Sequence, residues 1–117
     1  MEKVRVDHDR LGALYAQLGA SGAEDIVCRA LEELALRLSH CEVLYRESAL
    51  TDLRKNARSL IAISDQIGMP ALSTAARSVT DCIDRNDPVA LAATLSRLIR
   101  IGERSLIAVW DMQDVPL

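Results

Sequence analysis

The stretch that decides the fold, residues 56–72, reads NARSLIAISDQIGMPAL. Within and just before it, apolar or small residues recur at alternating intervals of three and four, at Leu50, Leu53, Ala57, Leu60, Ser64 and Ile67. This spacing lines one face of a helix. Gly68 can adopt the left-handed conformation that ends a helix, and Pro70 suits the first turn of the next one. The stretch therefore predicts a helix over 49–67 and a second helix over 70–85.

Rows of apolar residues with the same spacing, which we call core stripes, also occur on both sides of this stretch. The helix predicted over 22–46 has its stripe at Val27, Leu31, Leu34, Leu38, Cys41 and Tyr45. The helix over 70–85 has its stripe at Leu72, Ala76, Val79 and Ile83. A last helix over 88–112, with Asp87 as its cap and Pro88 at its first position, has its stripe at Leu91, Leu95, Leu98, Gly102, Leu106 and Val109. Four such helices with short connections predict an up-down antiparallel four-helix bundle.

A short additional helix is predicted over 8–18, before the four long ones. Asp7 can cap its start and Gly19 can end it. In the turn that follows, Ser21 and Glu24 have the spacing of a capping box, which predicts the start of the next helix. No segment alternates with the period of two that a strand needs. The predicted fold is all-α, a four-helix bundle with a short N-terminal helix across one end, and all 117 residues (1–117) form one domain.

Composition narrows the possible functions. Half of the residues are hydrophobic but only 3% are aromatic, so we expect an aliphatic core, which favours helices. The net charge of −3 argues against binding nucleic acid, which needs a basic surface to displace counterions. No apolar run approaches the ~18 residues of a membrane span, and no secretory signal is visible. Three cysteines without a CxxC pair fit a reducing compartment, so we expect a cytoplasmic protein.

Part of the opening stretch follows the frame of a signalling motif. Counted from Arg58, the positions +2, +3, +4, +9, +10 and +14 hold Leu60, Ile61, Ala62, Ile67, Gly68 and Leu72. This frame resembles the histidine-containing phosphotransfer (Hpt) family, whose motif is a histidine followed at those positions by Leu, Lys, Gly, a hydrophobic residue, Gly and often Leu. The closing DRNDPVALAATLSRL also looks like the last turn and helix of that family. The resemblance covers nearly the whole chain and implies an up-down four-helix bundle with Arg58 at the phospho-acceptor position.

The chain departs from the family at the two positions that carry its chemistry. In the family, the histidine accepts a phosphoryl group from a receiver domain and the lysine helps to attract that group. Arg58 stays protonated and offers only hydrogen-bond donors, so it cannot be the nucleophile. Ile61 stands where the lysine would be. We therefore expect a degenerate member with no catalytic residue, an Hpt-like signalling module that docks a two-component partner, a receiver or a histidine kinase, without carrying phosphate.

A docking face follows from the spacing of residues around Arg58. Residues four and seven apart share one side of a helix. The predicted partner-binding face comprises Arg54, Arg58, Ile61, Ala62 and Asp65. We expect it opposite the core stripe of the same helix, with Ile61 as an apolar anchor ringed by charge. The alternative interpretation is a solvated helix face with one exposed isoleucine.

The last helix supports an alternative function of a different class. Beyond its stripe it carries Ile99, Ile101, Ile107 and Trp110, which surround the helix. They indicate either a broad core face or a surface for a partner. The alternative is thus a structural or scaffolding bundle that homodimerises through Ile61 or through the last helix.

The sequence contains no recognisable set of residues for metal binding, for phosphate binding or for nucleophilic catalysis. His8 and His40 lack the phosphotransfer frame, although phosphorylation of either one stays open. The cysteines do not have a zinc spacing, and Glu32 and Glu33 occur without the Glu-x-x-His motif of metal-binding bundles. No phosphate-binding loop or nucleophile elbow is present. We therefore expect no enzyme activity, no metal site and no cofactor.

Overall fold

The computed structural model describes residues 7–113, and for 110–113 it describes the backbone alone. The described residues form four α-helices and no strand: α1 (His8–Arg46), α2 (Leu50–Gln66), α3 (Pro70–Asp84) and α4 (Pro88–Gln113). The prediction of an all-α fold built on four long helices is confirmed. The last four residues of the chain, for which no helix was predicted, lie outside the described part.

The two helices that were predicted before residue 46 meet at one residue and together form α1. Asp7 caps the start as predicted, because its Oδ1 accepts a hydrogen bond from the Arg10 backbone N–H at 3.0 Å. Gly19 breaks the helical geometry with φ 76° and ψ 168°. Residues 20 and 21 are already helical, so Ser21 as the cap of a helix from 22 was wrong. A straight helix of 39 residues would measure about 58 Å, whereas the molecule spans 46 Å along its longest axis, so α1 bends at this break.

The three connections between helices use the same turn geometry. After α2, Gly68 takes φ 73°, its N–H donates to the Asp65 carbonyl, and the Met69 N–H donates to the Ser64 carbonyl at 2.8 Å. This pair of bonds is the Schellman motif that closes a helix C-terminus. Ser48 and Asn86, each with positive φ, hold the corresponding position after α1 and α3. The turns are therefore three residues long, which keeps consecutive helices side by side.

The core is aliphatic, as the composition predicts. Each helix contributes its stripe, and the largest completely buried side chains are Leu34, Leu53, Leu60, Ile67, Met69, Leu72, Leu98, Ile101, Val27, Val79, Val109 and Cys41. Two predicted core positions were wrong, because Tyr45 and Leu50 are exposed, and Leu44 is buried instead. All three lie beside the turn from α1 to α2, where the chain covers the flank of α1 that bears Leu44.

Each helix contacts its neighbours in the chain, and α1 also contacts α4, whereas α1 does not contact α3 and α2 does not contact α4 among the described residues. The four helices therefore form a ring. The seam between α2 and α3 lies on the opposite side of that ring from the seam between α1 and α4. None of the helices, over the residues described, is long and apolar enough to cross a membrane.

One buried polar group holds α1 against α2. The Asn56 side chain is almost completely buried, and its Nδ2 donates to the Arg37 carbonyl at 2.7 Å and to Cys41 Sγ at 3.1 Å. Its Oδ1 accepts from Arg37 Nη1 at 3.0 Å. A buried amide is costly unless its hydrogen bonds are made, so these contacts favour one register of the two helices over others.

Candidate interaction surface on α2 and α3

The predicted docking residues line the flank of α2 that faces α3. Arg54 forms a two-bond ion pair with Asp84 of α3, from Nε to Oδ1 at 2.7 Å and from Nη2 to Oδ2 at 3.2 Å. Asp65, three turns further along α2, accepts from Arg77 Nη2 of α3 at 3.0 Å. These two ion pairs bracket a surface that we call the α2–α3 face, which comprises Arg54, Arg58, Ile61, Ala62, Asp65, Arg77 and Asp84.

Arg58 is the free cation in the middle of this face. Its side chain is exposed, and no carboxylate lies within ion-pair distance of it among residues 7–109. Asp84, the acid whose pKa its charge lowers, already takes both guanidinium bonds of Arg54. The guanidinium of Arg58 therefore keeps its donors available for a group on another molecule.

The electrostatics of the face keep the Arg54–Asp84 ion pair charged. The hydrogen bond from Arg54 holds the pKa of the Asp84 carboxyl below its usual range, and the positive charges of Arg54 and Arg58 act in the same direction. Asp84 in turn raises the pKa of Arg54. Both side chains are solvent-exposed, so the pair stabilises the fold little. Its main effect is to hold the side chain of Arg54 against α3.

Ile61 does not have the place that the sequence predicts for it. It is half-buried and packs against the core, whereas Ala62 is exposed. The predicted face was expected opposite the core stripe, but Arg54, Ile61 and Asp65 lie on the flank beside α3. The reason is that α3 covers that flank, a contact that the periodicity of α2 does not reveal. Ile61 is thus partly an internal packing residue, and the exposed residues of the predicted face that make no ion pair with α3 are Arg58 and Ala62.

The remaining candidate residues do not join this face. His8 and His40 are both exposed on α1, which does not contact α3. Cys41 is completely buried, and burial raises the pKa of its thiol to about 11 in spite of the Asn56 hydrogen bond. A thiol of that kind is not a nucleophile at neutral pH. In the part of the chain that the structure describes, no three His, Cys, Asp or Glu side chains gather where they could hold a metal ion.

A second surface lies on the other side of the ring, between α1 and α4. There an apolar groove of about 380 Å³ is lined by Leu31, Glu32, Ala35, Leu106 and Ile107. Of the isoleucines that the sequence singled out on the last helix, Ile101 belongs to the core, Ile99 is half-buried and Ile107 is 60% exposed. The side chain of Trp110 lies outside the described side chains. The sequence indicated Ile107, but not the groove, because the lining residues of α1 look like ordinary parts of an amphipathic helix.

Comparison of the chain with protein families, with curated proteins and with solved structures finds no match.

Proposed function

We propose that this chain is a protein-docking module, an Hpt-like up-down antiparallel bundle with residues 8–18 as its additional N-terminal helix. It binds a receiver domain or a histidine kinase through the α2–α3 face and carries no phosphate itself. The observation that carries the proposal is Arg58, which is exposed and has no ion-pair partner among the described residues. It lies between two ion pairs, at the position where the Hpt resemblance places the phospho-acceptor. An arginine there donates hydrogen bonds to a carboxylate or phosphate of a partner but cannot form a bond to phosphorus.

The contacts on the face are consistent with recognition of another protein. The ion pairs at its two ends order the long side chains of Arg54 and Arg77, which lowers the entropy that binding must overcome. Ala62 beside Arg58 leaves room for a close approach. An arginine in such a setting is a frequent anchor of protein interfaces because it combines charge with a large planar contact area.

Binding to purified receiver domains and kinases, measured by calorimetry, tests the proposal. We expect at least one partner to bind, and Arg58→Ala to weaken that affinity about tenfold or more, as is usual for a central arginine anchor. Arg29→Ala is the matched control, since Arg29 is an exposed arginine on α1. Equal effects of the two substitutions, or no binding to any receiver or kinase, would overturn the proposal.

A second experiment tests the assigned role of position 58 by restoring the missing group. Arg58→His places an imidazole on the α2–α3 face. A phosphorylated receiver that binds this face can then transfer its phosphoryl group to the imidazole nitrogen, and the aspartyl O–P bond breaks as the N–P bond forms. We expect acid-labile phosphate on the Arg58→His variant and none on the unmodified chain. Label on His8 or His40 of the unmodified chain contradicts the claim that the protein carries no phosphate.

A further inference from the structure

The groove between α1 and α4 exists because these two helices touch at one level and separate at another. At Gly102 they are in close contact, since a Cβ on that residue would lie 2.5 Å from Leu38 Cδ1. About one turn further along α4, at Leu106, and two turns back along α1, at Leu31, the helices leave the groove of about 380 Å³. Ile107 stands at its edge, 60% exposed. The contact between α1 and α4 is therefore close at Gly102, whereas near Leu31 and Leu106 it leaves an unfilled groove.

A further large aliphatic side chain is exposed on α1, outside the groove. Leu36, which follows the lining residue Ala35 on α1, is 72% exposed. Covering large aliphatic side chains that are mostly exposed to water lowers the free energy of the system, in proportion to the apolar area removed from water. An apolar groove on a helical surface that also exposes large aliphatic side chains is typical of a protein interface.

The two helices that form the groove carry opposite charge. Residues 24–42 of α1 have five acidic side chains and two basic ones: Glu24, Asp25, Glu32, Glu33, Glu42, Arg29 and Arg37. Residues 97–107 of α4 have three basic side chains and one acidic: Arg97, Arg100, Arg104 and Glu103. An acidic helix and a basic helix therefore flank the same apolar groove.

From this arrangement we infer that the α1–α4 groove is the interface of a homodimer, with a second copy of this chain as its occupant. A two-fold axis along the groove places α1 of each copy against α4 of the other, so that acidic surface meets basic surface twice. The same operation brings the exposed Ile107 of each copy to the groove of its partner. A second copy fits because each chain carries both the acidic helix and the basic helix, and both the groove and the exposed Ile107. The α2–α3 face lies on the opposite side of the ring and stays accessible in the dimer.

Sedimentation equilibrium over a range of concentrations tests the inference on the full chain. We expect a monomer–dimer equilibrium that Ile107→Glu weakens at least tenfold, because it places a charge in the apolar contact. Val89→Glu is the control: Val89 is 81% exposed on the same helix, 18 residues or about 27 Å from Ile107. We expect Val89→Glu to leave the equilibrium unchanged. Circular dichroism checks that both variants keep their helix content.

The salt dependence of dimerisation tests whether opposite charges pair across the dimer. Glu32→Arg makes the α1 side of the groove less acidic, so we expect it to weaken the dimer most at low salt. We also expect added salt to weaken the unmodified dimer. A chain that stays monomeric at about millimolar concentration, or a dimer that Ile107→Glu leaves intact or that Val89→Glu splits equally, overturns the inference. Dimerisation that rises with salt while Ile107→Glu still splits it refutes the charge pairing and leaves only an apolar contact.

Discussion

At the scale of single residues, the proposed function depends most on the arginine at position 58. An arginine side chain offers hydrogen-bond donors and no lone pair for nucleophilic attack, so the position can attract an anion but not attack phosphorus. The neighbours of Arg58 on this face are engaged within the molecule: Arg54 and Asp65 form ion pairs with α3, and Ile61 is partly buried. The proposed role of the face in recognition, rather than in a reaction, therefore depends on the identity of the residue at position 58.

The positive-φ positions in the turns yield the first prediction at this scale. Gly68→Ala forces a side chain into φ 73°, with its Cβ 2.9 Å from the Asp7 carbonyl oxygen, so we expect a loss of about 2–3 kcal/mol in the free energy of unfolding. Ser48→Gly relieves the same backbone strain at φ 55° and is expected to stabilise by about 1 kcal/mol. Urea denaturation measures both. Effects of the same sign would show that backbone strain is not the cause.

The buried thiol of Cys41 predicts a pH dependence. Its pKa is raised from 9.0 to about 11 in the folded protein, so between these values the unfolded chain releases a proton that the folded chain retains. Stability must therefore fall as pH rises from 9 toward 11, by about 2–3 kcal/mol in total from this group. We expect Cys41→Ala to flatten the decline relative to the unmodified chain in denaturation at pH 8, 9, 10 and 11. Parallel curves for the two proteins would contradict this origin.

At the scale of helices, local signals placed the boundaries well. The helices predicted over 49–67, 70–85 and 88–112 are found at Leu50–Gln66, Pro70–Asp84 and Pro88–Gln113. The signals behind these boundaries act within a few residues: a glycine that takes positive φ, prolines at the first helical position, and Asp87, whose Oδ1 accepts from the Ala90 N–H at 3.0 Å. Ser48 and Asn86 close the other two turns without a glycine, so their positive φ was not foreseen.

Contact between helices gives the prediction at this scale. Gly102→Ala places a methyl group within 2.7 Å of both Leu38 methyl carbons, so we expect a destabilisation of about 1–3 kcal/mol, although alanine is the better helix former. Leu38→Ala makes room for that methyl group. The double variant is therefore expected to be more stable than the sum of the single effects predicts, by about 1 kcal/mol. Strict additivity in urea denaturation would show that these two residues do not determine how closely α1 and α4 approach.

At the scale of the whole molecule, the ring of helices gives the protein two separate surfaces. The α2–α3 face is polar with one free arginine, and the α1–α4 groove is apolar between charged helices. A homodimer through the groove would present two docking faces to the outside, so a bivalent partner would bind with increased avidity. The proposed docking and the proposed dimerisation therefore reinforce each other without sharing a residue.

The independence of the two surfaces is itself testable. We expect Ile107→Glu to bind a partner's isolated receiver or kinase domain with unchanged affinity per site, and Arg58→Ala to dimerise like the unmodified chain. Light scattering and calorimetry on the two variants measure both properties. A loss of dimerisation in Arg58→Ala, or of partner binding in Ile107→Glu, would show that the two functions share one surface or one conformational equilibrium.

The sequence by itself determined the class of fold, the helix ends at glycine and proline, the aliphatic core and the absence of a nucleophile at position 58. These properties depend on backbone geometry, on hydrophobic spacing and on the chemistry of single side chains, all of which act locally along the chain. The burial of Ile61, the pairing of Arg54 with Asp84 and the groove beside Ile107 were decided by the tertiary structure alone. Each of these depends on which helix lies against which flank, and residues of different helices must meet before that is known.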